Sequence, residues 1–472
     1  MTKENLEKSI LLFEYAYQKL LKNLNLNAHI SINNKKNLLN ELKNSKNNLL
    51  KHKTYALKDN IATKNLKTTA GSKILSNFFP NYDATVFKKL EEASAILLCK
   101  ANLDELGMAG TGTYSYNERV INPWNKNIIT GGSSSGSCAL VAKGIVDFSI
   151  GTDTGDSIRK PASYCGVYGF KPTWGVVSRY GLFDFCPSFD AIGVIANDVE
   201  TISNVMNVIS GYDEKDPTTL LVQDKKFIWD LKKISLMKLK VGIFTSLFNE
   251  IASYPANEVL LFAINVCKFL GWEIVKIDFN SIFLKSCSSI YSIIAFSEAS
   301  SCFANLNGLV FGKSESGSGW EEKINNSRTK NLGKMVKRRF VIGSFALEGD
   351  NYELFFNKAK KIRRLICKEM EDTFLKCDFI LSPTTLDVAP SFSDLNNIEK
   401  TELSYDITSS ILLLGNFYGC CSISIPTQLL DNCPMGITIT CNRFDDSKCI
   451  KIAELLSKRI NFQNTLLDKN EK

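Results

Sequence analysis

Histidine is almost missing from this chain. Its 472 residues hold two, His29 and His52, and none lies beyond residue 52. A serine hydrolase built on a histidine base therefore has little to draw on. No stretch of 18 apolar residues occurs, so no membrane-spanning helix is expected. The opening segment, MTKENLEKSILLFEYAYQKL, has only a short apolar run, interrupted by Glu4, Glu7 and Glu14. That pattern fits neither a secretory signal nor a mitochondrial presequence, and the expected location is cytoplasmic. Fourteen cysteines are present, but no C-x-x-C pair and no regular spacing. A zinc ribbon or thioredoxin-like site is thereby excluded, no metal is expected, and the thiols should be reduced core residues.

Phosphate-binding patterns are also missing. GGSSSGSC has Gly131 and Gly136 at the spacing of a phosphate loop, but Ser137 where the lysine belongs. GTGTYS, residues 110–115, lacks the third glycine of a dinucleotide fingerprint. Ser157-Ile158-Arg159-Lys160 matches S-x-x-K, but Pro161 disfavours helical geometry at Lys160 and no K-T-G follows.

What is present is an ordinary globular composition, with 44% hydrophobic and 22% charged residues. The net charge of +8 is spread along the chain rather than gathered in a tail. That reads first as a solvated surface, and second as attraction to an acidic partner such as RNA.

Residues 4–24 read as an amphipathic helix with Leu6, Ile10, Phe13 and Tyr17 on one stripe, followed by a polar Asn/Lys-rich stretch to about residue 53. Residues 83–93 read as a helix, and 95–102, 239–244 and 377–385 as strands. A helix over 351–374 should pack Phe355, Ala359, Ile362, Ile366, Met370 and Phe374 into the core. The polar segment 211–235 reads as a surface excursion. The expected fold is α/β: one large domain over residues 1–472, with a central mixed sheet covered by helices on both faces and residues 1–53 packed on it as a helical segment.

The serine-rich segments GGSSSGS (131–137) and GTDTGDSIRKP (151–161) raise a chemical question: what takes a proton from Ser157? A serine hydroxyl is a weak nucleophile until a base acts on it. Lysine can be that base only when neutral, and at its ordinary pKa roughly one in a thousand is neutral at pH 7. Lowering that pKa by three pH units costs about 4 kcal/mol, which burial among polar but uncharged neighbours can supply. TYALKDNIAT (54–63) places Lys58 in such an apolar strand context. A serine of GGSSSGS can bridge lysine and nucleophile. The backbone N–H groups of Thr154, Gly155, Asp156 and Ser157 suit a developing oxyanion.

ALKDN, GGSSSGS and GTDTGDSIRKPASYCGVYGFKPTWGVVSRYGL together resemble the amidase signature family. The resemblance implies Lys58 as base, Ser133 as bridging serine and Ser157 as nucleophile, the two serines being 157 − 133 = 24 positions apart. INPWN, SFDAIG, FSEASSCFANLNGLVFG, VKRRFVIGSFAL and FILSPTT extend it over nearly the whole chain, toward the family's tRNA-dependent, glutamine-hydrolysing branch. It then implies that Tyr291 and Arg339 line a glutamine pocket. Arg339 would clamp the substrate carboxylate. It implies two partner subunits as well: a larger one that binds charged tRNA and uses ATP and Mg to convert Glu-tRNA(Gln) to Gln-tRNA(Gln), and a small one. No cofactor is expected in this chain. The family usually has glycine at 135 and 156, where this chain has Ser135 and Asp156. The acidic residue that usually meets the substrate's amino group falls at Ser409, with Asp406 nearby. A carboxylate at 156 opposes an adjacent oxyanion unless its side chain points away. A free-standing amidase on small amides and a non-catalytic RNA-binding subunit are the alternatives.

Overall fold

A computed structural model describes residues 3–44, 48–219, 229–236, 238–394 and 406–467. Among the described residues, eleven strands form one sheet. In chain order they are β1 (His29–Ile32), β2 (Thr54–Lys58), β3 (Ile96–Ala101), β4 (Phe148–Asp153), β5 (Tyr168–Lys171), β6 (Ala191–Ala196), β7 (Lys240–Phe244), β8 (Glu273–Ile277), β9 (Phe379–Pro383), β10 (Ser422–Leu430) and β11 (Cys433–Cys441). Their spatial order is β1-β3-β2-β4-β6-β5-β10-β11-β9-β7-β8. β2 runs parallel to β3 and β4, and β7 runs parallel to β8 and β9; the remaining pairs are antiparallel. The sheet is therefore mixed, as expected from strands alternating with helices.

The sheet separates two apolar layers, and strand periodicity decides which residue enters which. Tyr55 and Leu57 of β2 join the larger layer, whereas Ala56 joins a smaller one with Cys138–Ala142. Lys58 lies two residues beyond Ala56 and so projects on that second face. There the segment 131–142 covers it, closed by the helix Ser135–Ala142. β4 is the parallel neighbour of β2, with Tyr55 opposite Phe148 and their rings stacked at 5.2 Å. The carboxyl ends of β2 and β4 thus lie side by side, where open α/β sheets commonly place their sites.

The expected strands and the helix Thr85–Glu92 form as read. The first helix, Lys3–Lys22, buries Phe13, Ala16 and Leu20, with Ile10 and Tyr17 half-buried; the side chain of Leu6 lies outside the described residues. The polar stretch after it is more structured than its composition suggested. It contains edge strand β1, antiparallel to β3, and the helix Lys35–Asn44. Phe355 is a correction: a π-helical turn over Tyr352–Asn357 leaves it exposed, and burial begins at Ala359 in the helix Lys358–Phe374. Of the segment 211–235, residues 220–228 lie outside the described residues, and its flanks bury Asp216, Trp229 and Leu231. All fourteen cysteines are free thiols, most of them in the core.

Candidate active site

Lys58 is fully buried at the end of β2. Its Nζ donates to Ser133 Oγ at 2.7 Å, Thr152 Oγ1 at 2.8 Å and Ser134 Oγ at 2.9 Å. The partners are these hydroxyls and, at 3.3 Å, the Thr152 carbonyl, and no carboxylate bonds to it among the described residues. Burial is the dominant effect and pulls its pKa from 10.5 down to about 7, while Asp104 and Asp153 act in the opposite sense from farther away. Near-neutral pH then finds an appreciable share of Lys58 unprotonated.

The three hydroxyls are not equivalent. Ser134 Oγ donates to the Thr152 carbonyl at 3.1 Å, and Thr152 Oγ1 also accepts from Asn60 Nδ2 at 3.2 Å. Ser133 Oγ has no second partner among the described residues, so its own proton is committed to no other acceptor there. The Ser134 amide donates to the Ser157 carbonyl at 3.1 Å, which ties the serine-rich loop to the second serine segment.

A buried ion pair fixes that second segment. Arg159 donates to Asp153 through Nε at 3.1 Å and Nη2 at 3.0 Å, and to the Gly155 carbonyl at 2.6 Å. Asn416 Nδ2 and the Ile158 amide complete the shell of Asp153. Burial alone would raise the Asp153 pKa, but Arg159 overcomes it and holds the carboxyl at about 2. Among the described residues, the amides of Gly155, Asp156 and Ser157 donate to no protein acceptor, and all three residues line a cavity. Thr154 does not line that cavity, and its hydroxyl donates to Asp190 at 2.6 Å. Gly155 packs closely, since a Cβ there would stand 3.1 Å from the Tyr291 ring.

Ser157 shares the cavity with Tyr291, Phe296, Arg339, Lys160 and Ser409. Tyr291 stands on the helix Ser281–Cys302, where burial pushes its phenol pKa up and keeps it neutral. Arg339, on the helix Lys334–Leu347, is buried with its guanidinium 5.1 Å from the Phe296 ring centre. It is no surface arginine, although the run VKRRF alone permits that reading.

Two expectations about the neighbouring segment change. Lys160 is helical, within Arg159–Cys165. Pro161 is tolerated because it occupies the first turn, where the lost N–H has no intrahelical partner. Asp156 does not turn away from the site. It lines the cavity, and its Oδ2 lies 2.6 Å from Lys160 Nζ. Ser134, Thr152 and Arg159 are the participants the motif reading missed. Ser134 lies within GGSSSGS, but its turn toward Lys58 depends on how the loop folds.

A family model described as Amidase matches residues 16–450. The chain belongs to the amidase family. Its relatives include the A-type subunit of glutamyl-tRNA(Gln) amidotransferase from Mycoplasma genitalium, 41% identical over 91% of this chain and 92% of that protein. The corresponding protein of Fusobacterium nucleatum, which carries the same name, is 38% identical over 86% of this chain and 82% of that one. Among solved structures, the A-type glutamyl-tRNA(Gln) amidotransferase subunit from Thermotoga maritima is similar with a TM-score of 0.78 at 31% identity, covering 97% of this chain and 92% of that one. Peptide amidase from Stenotrophomonas maltophilia shares the fold, with a TM-score of 0.79 at 23% identity over 96% of this chain and 94% of that one. Among the described residues no helix is long and apolar enough to cross a membrane, and no cluster of three or more His, Cys, Asp or Glu is placed to hold a metal.

Proposed function

We propose that this chain is the glutamine-hydrolysing subunit of a tRNA-dependent amidotransferase. The observation that carries the reading is a buried lysine that, among the described residues, bonds only to hydroxyls and a carbonyl oxygen, in a loop tied to a serine whose cavity also holds a buried arginine. The kinship with subunits named for glutamyl-tRNA(Gln) amidotransferase supports the substrate.

Neutral Lys58 takes the Ser133 proton, and Ser133 takes the Ser157 proton as Ser157 Oγ attacks the carboxamide carbon. The carbonyl π-electrons move to oxygen. The backbone amides of Thr154, Gly155, Asp156 and Ser157 hold that oxyanion. Collapse breaks the C–N bond; the proton returns through Ser133 to the leaving nitrogen, and ammonia departs. Water then attacks the acyl-serine by the same relay, releasing glutamate and free Ser157. Arg339 holds the substrate carboxylate, and Tyr291 packs beside it. Ammonia passes to a larger partner that activates tRNA-bound glutamate with ATP and Mg, a small third subunit completes the assembly, and the complex works in the cytoplasm.

Glutamate release from glutamine, measured for the chain alone and with its two partners, tests this reading. Weak activity that rises with partners and charged tRNA, and disappears in Ser157→Ala, is expected. Full activity without partners, or preference for another amide, would move the assignment to a free-standing amidase. RNA binding by this chain with no hydrolysis would leave only a non-catalytic subunit.

A further inference from the structure

The cavity above Ser157 contains one carboxylate, Asp156, and two cations, Lys160 and Arg339. Lys160 is shared. Its Nζ meets Asp156 Oδ2 at 2.6 Å and donates to Ser409 Oγ at 3.1 Å; Ser409 in turn donates to Asp406 Oδ2 at 2.6 Å. Asp406 is itself fixed, because its Oδ1 accepts from the Thr408 amide and hydroxyl at 3.0 and 2.9 Å. The array Asp156–Lys160–Ser409–Asp406 therefore carries two negative charges and one positive, a net charge of minus one. Asp156 and Asp406 both raise the Lys160 pKa against its burial, so the ammonium stays charged. Arg339 brings the positive charge from a different element, the helix Lys334–Leu347.

Asp156 Oδ1 has no hydrogen-bond partner among the described residues, and its side chain keeps 20% of its surface exposed while lining the cavity. An α-amino acid presents one carboxylate and one ammonium. The site offers the Arg339 guanidinium for the carboxylate and the net negative array around Asp156 for the ammonium.

We infer that Asp156 is the specificity-determining residue for the substrate's α-ammonium group, with Lys160 and Asp406 as positioning residues that hold it in register. The inference rests on the glutamine reading above. It also gives Asp156 a reason to stand beside an oxyanion hole. Lys160 offsets its charge in the empty site, and the substrate's own ammonium offsets it during turnover. Asp156 thereby does the work that an acidic residue at 409 would otherwise do.

The test uses the assembled complex and compares glutamine with glutaramate, which keeps the carboxylate and the carboxamide and lacks only the α-amino group. Asp156→Asn should lower kcat/KM for glutamine by about tenfold more than it lowers it for glutaramate, the size expected for losing a hydrogen bond between charged groups. The loss should appear mainly in KM. Asp156→Gly should shift the preference in the same direction, which guards against a fault peculiar to one replacement. Equal losses on both substrates, or no loss on either, would overturn the assignment of Asp156 while leaving the glutaminase reading intact. A wild-type complex that ignores glutamine but cleaves another amide would overturn both.

Discussion

Two lysines stand near the Ser157 segment, and they are treated in opposite ways. Lys58 is fully buried and surrounded by Ser133, Ser134 and Thr152. Lys160 lines the cavity that holds Ser157, keeps a fifth of its side chain exposed and holds the Asp156 carboxylate. Burial opposes charge at both positions. At Lys58 no carboxylate among the described residues is in contact to offset it, and the pKa falls to about 7. At Lys160 carboxylates offset it and the pKa rises. A lysine becomes a base or a fixed cation according to whether its neighbours are hydroxyls or carboxylates.

The largest effect that sharpens this contrast is at Ser157 and Lys58. Ser157→Ala should abolish acyl-enzyme formation, seen by mass spectrometry of quenched reactions. Lys58→Met should lower glutamine turnover by a factor on the order of 10² to 10⁴, the usual worth of a general base. Turnover within a few-fold of wild type would remove Lys58 from its role. Arg159→Met should destabilise the fold by about 3–5 kcal/mol in denaturant titrations, because it leaves Asp153 buried and unpaired. Little change in the midpoint would show that the Asp153–Arg159 pair is not what fixes the loop.

Stability against pH offers a second view of Lys58. Its folded pKa lies below its unfolded one, so between pH 7 and 10.5 the unfolded chain holds the proton that the native chain has released. The wild type should therefore gain about 1.4 kcal/mol per pH unit across that window relative to Lys58→Met. Below pH 7 the difference should level off. A constant difference would mean that Lys58 titrates alike in both states. The smallest effect is at Lys160: Lys160→Met should raise KM for glutamine roughly tenfold, because Asp156 loses the cation that holds it in register, with little change in kcat. A rise in kcat would show that Lys160 itself hinders turnover.

The contrast was half legible in the sequence. Lys58, Ser133 and Ser157 each lie within a short motif, so their chemistry could be read before any geometry was known. Thr152 could not be read, because its contact with Lys58 depends on the parallel pairing of β2 and β4. Nor could the direction of Asp156, which follows from a loop conformation set by Arg159 reaching back to Asp153 and the Gly155 carbonyl. Pro161 misled for a simpler reason: the bias a proline places on the preceding residue is a preference, and Lys160 is helical in spite of it. The same kind of error hid β1, whose four residues, His29–Ile32, are too few to show a period within a polar stretch.

The central claim is that a neutral lysine drives acylation. The most direct test is the pH dependence of acyl-enzyme formation, followed in a single turnover with glutamine and the assembled complex. The account predicts a rate that rises with pH, is half-maximal near pH 7 and plateaus above it, following release of the Lys58 proton. The rise should be missing in Lys58→Met. A wild-type rate that stays flat from roughly pH 6 to 9, or a Lys58→Met profile that keeps the same rise, would contradict it.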